Sequence, residues 1–167
     1  KKMEFSGKKV TVVGTGISGI GAVGLLNAVG AEVVLYDGNE KLKIEDIEKK
    51  LGTYKAEIVL GELTKELTDS SDLLVISPGV PIDSPVVKAF EAAGVPVWGE
   101  VELAYAFDKG KVLAITGTNG KTTTTALVGQ IVGAYHKDTF VVGNIGNPYT
   151  TEVLKSNKDS YTVAEIS

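Results

Sequence analysis

The feature that most constrains the fold is a short β-branched run, Val10-Thr11-Val12-Val13, which stops at Gly14 and gives way to apolar residues at helical spacing over 17–29. That order predicts a strand, a tight turn and a helix, with Gly30 ending the helix. The turn, Gly14-Thr15-Gly16-Ile17-Ser18-Gly19, has the G-x-G-x-x-G spacing. Glycines at those places let a diphosphate come close to the free amides at the helix start. A second strand over 32–36 leads to Asp37, whose carboxylate can accept from a ribose hydroxyl or from a base N–H. The pattern suits NAD and UDP-sugars alike. An NAD-binding oxidoreductase or redox-sensing module is therefore the rival to a UDP-binding unit, and a tight turn with no ligand is the plain structural alternative.

The alternation continues. A helix is predicted over 44–51, a strand over 57–60, a strand apolar on both faces over 72–77, and a helix over 86–93. Strands alternating with helices give an α/β fold with a parallel sheet, so residues 1–99 are expected to form a Rossmann-like domain. Ser77, Pro78 and Gly79 follow the fourth strand and so lie at the same carboxyl edge, where open α/β sheets bind ligands. On its own, Pro-Gly after a strand is an ordinary turn.

The pattern then restarts with a helix over 100–107, a polar turn at Asp108-Lys109-Gly110, a buried strand over 111–115 and a helix over 121–134. A strand over 139–142, a helix over 148–154 and a strand over 161–166 follow. Residues 100–167 are expected to be the first part of a P-loop ATPase-type α/β domain.

Between the strand and helix of that second unit lies Ile115-Thr116-Gly117-Thr118-Asn119-Gly120-Lys121-Thr122-Thr123. A glycine turn opening a helix aims backbone N–H groups and the positive dipole end at one point, which suits a phosphate chain. Lys121 adds a mobile cation, Thr122 a hydroxyl for Mg2+, and Thr123 a cap or a further phosphate contact. Against G-x-x-x-x-G-K-[ST] the loop is a shorter variant, since Ile115 stands at the first glycine position.

Composition narrows the field. Acidic residues number 21 and basic ones 17, all of them Lys, for a net charge of -4. A chain gripping a nucleic acid backbone would carry a basic stripe, so none is expected as a partner. The absence of Cys excludes disulfides and thiolate metal sites. No apolar stretch long enough for a secretion signal or membrane span leads the chain, so a soluble cytoplasmic protein is expected. The single histidine, His136, reads as a solvated loop residue.

The phosphate loop, the string Gly143-Asn144-Ile145-Gly146 and the stretch Ala164-Glu165-Ile166-Ser167 together resemble the Mur ligases of peptidoglycan synthesis. The N-terminal glycine turn, Ser77-Pro78-Gly79 and Gly99-Glu100-Val101-Glu102-Leu103 resemble the branch of that family that joins D-glutamate to UDP-N-acetylmuramoyl-L-alanine with splitting of ATP. The resemblance covers the whole chain. It implies an ATP-dependent ligase working through an acyl phosphate, as a monomer, with Mg2+ as cofactor and ATP as substrate. Carried over residue by residue, Thr15, Gly16, Ile17, Ser18, Gly19 and Asp37 would hold the UDP part, with Ser77, Pro78 and Gly79 beside it, and Asn144 would contact the muramoyl substrate. Gly117, Thr118, Asn119, Gly120, Lys121, Thr122 and Thr123 would bind ATP, Lys121 as the catalytic cation, with Thr122 and Glu165 as metal ligands.

Departures accompany the likeness. The family usually carries a positive side chain shortly after the Asp37 position, where Gly38-Asn39 stands here. The family's metal-binding His, carbamylated Lys and C-terminal D-glutamate domain have no counterpart in these residues. Taken alone, the chain is expected to bind UDP substrate weakly and to ligate nothing.

Overall fold

The computed structural model describes residues 4–117, 119–143 and 148–166. The chain divides into two compact units, 1–100 and 101–167.

In the first unit, β1 (Lys9–Val13), α1 (Ile17–Ala28), β2 (Glu32–Asp37), α2 (Ile44–Leu51), β3 (Glu57–Leu60), α3 (Lys65–Ser70), β4 (Leu73–Ile76), α4 (Pro85–Ala92) and β5 (Val97–Gly99) follow one another. All strands pair in parallel in the order β3-β2-β1-β4-β5. The chain grows from β1 outward to β3 and then returns past β1 to β4, so β1 and β4 flank the point where strand order reverses. Helices α1 and α2 touch each other, as do α3 and α4. Right-handed crossovers in both directions of growth put those pairs on opposite faces. Val13, Val34 and Leu74 of the sheet bury against Leu67, Val87 and Phe90 of α3 and α4. Phe90 is fully enclosed, and truncating it to Ala would cost about 3–5 kcal/mol.

Two elements escape the sequence pattern. Helix α3 is too short and polar to show a period; what starts it is the Thr64 side chain accepting from the Leu67 amide at 3.3 Å. Strand β5 is three residues long and follows Pro96, whose carbonyl accepts from Leu74 at 2.9 Å and begins the pairing.

The second unit holds α5 (Glu100–Phe107, its first residue belonging to the first unit), β6 (Lys111–Ile115), α6 (Lys121–Tyr135), β7 (Thr139–Val142), α7 (Tyr149–Glu152) with a 3-10 turn (Val153–Lys155), and β8 (Tyr161–Glu165). Its strands are parallel in the order β6-β8-β7. Strand β6 departs from the buried strand that its apolar run predicts. It is an edge strand, with Lys111, Leu113 and Ala114 exposed and Val112 and Ile115 half-buried. Helix α6 buries only Thr125 and Gly129, one turn apart, and Gly129 sits so close to Val141 that a Cβ there would meet the valine methyl at 2.5 Å. The apolar wealth of β8 accounts for the core here, with Val163 and Ala164 buried between both neighbours.

Below this sheet the Asp108 carboxylate gathers its surroundings. Tyr149 donates to it at 2.6 Å, Thr162 at 3.0 Å and the Gly110 amide at 2.8 Å. Burial first, then the Asp108 carboxylate and Tyr105, pushes the Tyr149 hydroxyl far above its ordinary range. His136, at the end of α6, is exposed and stacks on Tyr161 with ring centroids 4.0 Å apart.

Candidate nucleotide sites

The first glycine turn joins β1 to α1 at the reversal point, where open parallel sheets form a crevice. Its three glycines differ in kind. Gly14 has φ +113°, and a Cβ there would meet the Ser77 hydroxyl at 2.7 Å. A Cβ on Gly19 would collide with the Gly14 carbonyl oxygen, so close packing of α1 against the strand end requires that glycine. A Cβ on Gly16 would meet nothing within 4 Å. The protein's own packing does not demand that glycine, whereas a diphosphate approaching the backbone would.

Side chains from neighbouring strands brace the turn. Thr15, buried, donates to Asp37 Oδ2 at 3.1 Å, and the Asn39 amide occupies Oδ1 at 3.0 Å. A carboxylate has about four lone-pair positions, so Asp37 keeps capacity for a ligand donor. The Ser77 hydroxyl lies 3.1 Å from the Val13 carbonyl and 2.9 Å from Glu100 Oε1. Thr15, Asp37 and Ser77 thus meet at one edge, as expected of residues placed at the ends of β2 and β4. Pro78 and Gly79 are exposed beyond Ser77, and Ile17 is 81% exposed at the mouth of the turn.

Glu100, quoted in the sequence only as part of the string 99–103, was given no role there. It is 8% exposed, and its carboxylate accepts from the Ser77 hydroxyl at 2.9 Å. Burial raises its pKa, the Ser77 and Ser18 hydroxyls opposing that more weakly. The available signal was a carboxylate opening a helix immediately after an apolar strand end.

In the second unit the phosphate-loop residues converge on the carboxyl ends of β6 and β8. Gly117 has φ +141° and Gly120, preceding α6, has φ +76°. Lys121 Nζ reaches the Ile166 carbonyl at 3.4 Å, and the Thr122 hydroxyl lies 3.0 and 3.3 Å from the two oxygens of Glu165. Glu165 is only 5% exposed. Gly143 makes its room: a Cβ there would stand 2.6 Å from the Glu165 carbonyl and 3.0 Å from its Cβ. Asn119 and Thr123 are exposed beside the loop. Thr118 and Asn144 lie outside the described residues.

Helix beginnings separate these two places from others in the chain. Helices α3 and α4 are capped by the side chains of Thr64 and Ser84, and α2 carries Glu45 and Asp46 in its first turn. Helices α1 and α6 start on Gly16 and Gly120 with neither a side-chain cap nor an acidic first turn. Their first amides are open to an external anion.

Mg2+ prefers hard oxygen donors, holds few protein ligands and takes the rest from water and phosphate. A buried carboxylate beside a threonine hydroxyl fits that preference. Among the described residues no cluster of three or more metal-ligating side chains exists. Open hollows of about 360 Å³ between α3 and α4 and about 510 Å³ beside the starts of β2 and β3 include no residue of either glycine turn. Sites built from main-chain amides at a sheet edge need no deep hollow.

Parallel sheets with glycine turns at their carboxyl edges define an α/β protein of the open parallel-sheet kind, and comparison with known families narrows it. Residues 8–99 match the family described as Mur ligase MurD-like, N-terminal domain, and residues 115–167 match the Mur ligase middle domain. The chain belongs to the Mur ligase family. It is 68% identical over 165 residues to the UDP-N-acetylmuramoylalanine--D-glutamate ligase of Lachnospira eligens and 57% identical over 166 residues to that of Lachnoclostridium phytofermentans. It spans 37% of the length of each. The fold is also that of a murein peptide ligase from Psychrobacter arcticus, with a TM-score of 0.57 at 21% identity over 96% of this chain and 38% of that one. A pseudomurein peptide ligase type C from Methanothermus fervidus aligns at a TM-score of 0.53 and 24% identity, over 95% of this chain and 33% of that one. Among the described residues, no helix is long and apolar enough to cross a membrane.

Proposed function

We propose that this chain supplies the UDP-substrate unit and part of the ATP unit of a cytoplasmic, monomeric ligase that joins D-glutamate to UDP-N-acetylmuramoyl-L-alanine while splitting ATP. The observation that carries the reading is the meeting of Lys121, Thr122 and buried Glu165 at the ends of β6 and β8. That arrangement offers a cation, a hydroxyl and a carboxylate beside the open amides of α6.

In this reading residues 1–99 hold the UDP part and residues 100–167 the ATP phosphates. The diphosphate lies on the turn at Gly14, Gly16 and Gly19, with Thr15, Ile17 and Ser18 beside it, and Asp37 accepts from the ribose or the base. Ser77, Pro78 and Gly79 form the facing wall, and Asn144 contacts the muramoyl part. The ATP phosphates lie along 117–123, with Lys121 against the charge that develops as the substrate carboxylate attacks the γ-phosphate. Mg2+, held by Thr122 and Glu165, would neutralise phosphate charge and orient the transferring group. ADP leaves as the acyl phosphate forms, and the amine of D-glutamate then attacks its acyl carbon, making the amide bond and releasing inorganic phosphate. In such chemistry the protein mainly positions groups and neutralises charge.

Parallel calorimetry of this chain with UDP-N-acetylmuramoyl-L-alanine, NAD and Mg-ATP tests the reading. Binding of the UDP compound without NAD is expected. Tight NAD binding with no UDP binding would replace the ligase reading with that of an oxidoreductase or redox sensor.

A further inference from the structure

We propose that Glu100 is a positioning residue for the diphosphate: it holds the Ser77 hydroxyl as a wedge beside Gly14 and Gly19, and so fixes the turn whose amides receive the phosphates. The proposal rests on the reading that this turn takes the UDP part of the substrate.

Ser77 follows β4, which pairs beside β1 with Ile76 opposite Val13. The Ser77 backbone N–H donates to the Val13 carbonyl at 3.4 Å, so that carbonyl has a partner without the side chain. The hydroxyl has one proton and two acceptors in reach, the same carbonyl at 3.1 Å and Glu100 Oε1 at 2.9 Å. The Glu100 oxygen is the nearer, and a carboxylate is the stronger acceptor. The direction of the Ser77 hydroxyl is therefore set from Glu100.

That hydroxyl oxygen sits where the glycine turn leaves room for it. A Cβ on Gly14 would stand 2.7 Å from it and a Cβ on Gly19 3.6 Å. It thus fills the notch between the end of β1 and the first turns of α1. The ligand side of the turn is Gly16, where a Cβ would meet nothing and where α1 starts without a side-chain cap. Donors that receive a ligand keep their geometry when a second layer of hydrogen bonds locks the groups behind them. Glu100 and Ser77 form that layer behind the open amides.

The setting of Glu100 suits this task better than a packing task. Burying a carboxylate is unfavourable unless it is hydrogen-bonded, so a core position at 8% exposure gives no reason of its own for an acid. As the first residue of α5, Glu100 also lies at the helix end whose dipole favours a negative group. Asp37, at the other side of the turn, is held separately by Thr15 and the Asn39 amide.

Calorimetry of the 167-residue chain with UDP-N-acetylmuramoyl-L-alanine tests this, with urea unfolding of each variant to show that it is folded. Glu100→Ala should bind roughly three- to ten-fold more weakly, the scale of one lost hydrogen bond, and Ser77→Ala should do the same. Glu100→Gln, whose side-chain oxygen still accepts from Ser77, should bind within about two-fold of the unmodified chain, a rescue that loss of charge or bulk would not give. The double variant Ser77→Ala, Glu100→Ala should bind no more weakly than the weaker single one. Unchanged affinity in Glu100→Ala, Glu100→Gln as weak as Glu100→Ala, or losses that multiply in the double variant overturn the positioning role alone. Where Glu100→Ala does not fold, unchanged affinity in Ser77→Ala or weak binding by Glu100→Gln overturns it instead. No binding of the UDP compound by the unmodified chain overturns the UDP reading, and the positioning role with it.

Discussion

The two glycine turns share a plan and differ in charge. Each joins a parallel strand to a helix that starts on glycine without a side-chain cap or an acidic first turn. The first turn has no cation of its own; it is braced by hydroxyls and carboxylates, Thr15 on Asp37 and Ser77 on Glu100. The second brings Lys121 and a hydroxyl-carboxylate pair to the same kind of helix start. A diphosphate diester carries modest charge, which amides and a helix dipole can satisfy, whereas a triphosphate needs cations. In the proposed reading, the glycine turn sets where phosphate would go, and the side chains around it set how much charge would be tolerated.

The largest expected effect breaks the first turn by sterics. Gly19→Ala drives a methyl into the Gly14 carbonyl and should destabilise the first unit by about 1–3 kcal/mol, read by urea unfolding, with UDP binding lost. Next comes the second turn by charge. Glu165→Gln should weaken Mg-ATP binding about ten-fold or more by calorimetry while leaving UDP binding in place, since a hydrogen bond or ligand contact from a charged group is worth about 1.5–3 kcal/mol. An unchanged Mg2+ dependence would remove Glu165 from the metal site.

A third change tests whether stability of the second unit is separable from the first turn. Tyr149→Phe removes the 2.6 Å bond to Asp108 and should cost the second unit about 1.5 kcal/mol in thermal or urea unfolding. The folded state binds the Tyr149 proton more tightly than the unfolded state does. The stability gained from it is therefore fully present below about pH 10 and is lost as pH rises beyond. Tyr149→Phe should show a shallower alkaline loss, and equal alkaline profiles would contradict that assignment. The smallest effect is Thr15→Val, which frees Asp37 from one partner and should cost about 1 kcal/mol and a few-fold in UDP affinity.

Much of this arrangement was legible in the sequence because period and punctuation are strong there. Val10-Thr11-Val12-Val13 before glycines, and Asp37 ending the next strand, follow from local rules that the parallel sheet then brings together. The meeting of Thr122 with Glu165 came only from family likeness, since 43 residues separate them and strand order β6-β8-β7 decides their contact. Glu100 was read only as part of the string 99–103 and given no role, because its contact with Ser77 joins residues 23 apart that only the fold brings together. Helix α3 and strand β5 are too short for any period to show. The exposure of β6 is a matter of its edge position, which an apolar run does not encode.

Backbone amide NMR of the chain under titration tests the two-site account most directly. UDP-N-acetylmuramoyl-L-alanine should shift amides at 14–19, Asp37 and Ser77 without needing Mg2+, while ATP should shift 117–123 and Glu165 only when Mg2+ is present. Both ligands moving the same amides, or ATP shifts indifferent to Mg2+, would contradict the division of labour between the two turns.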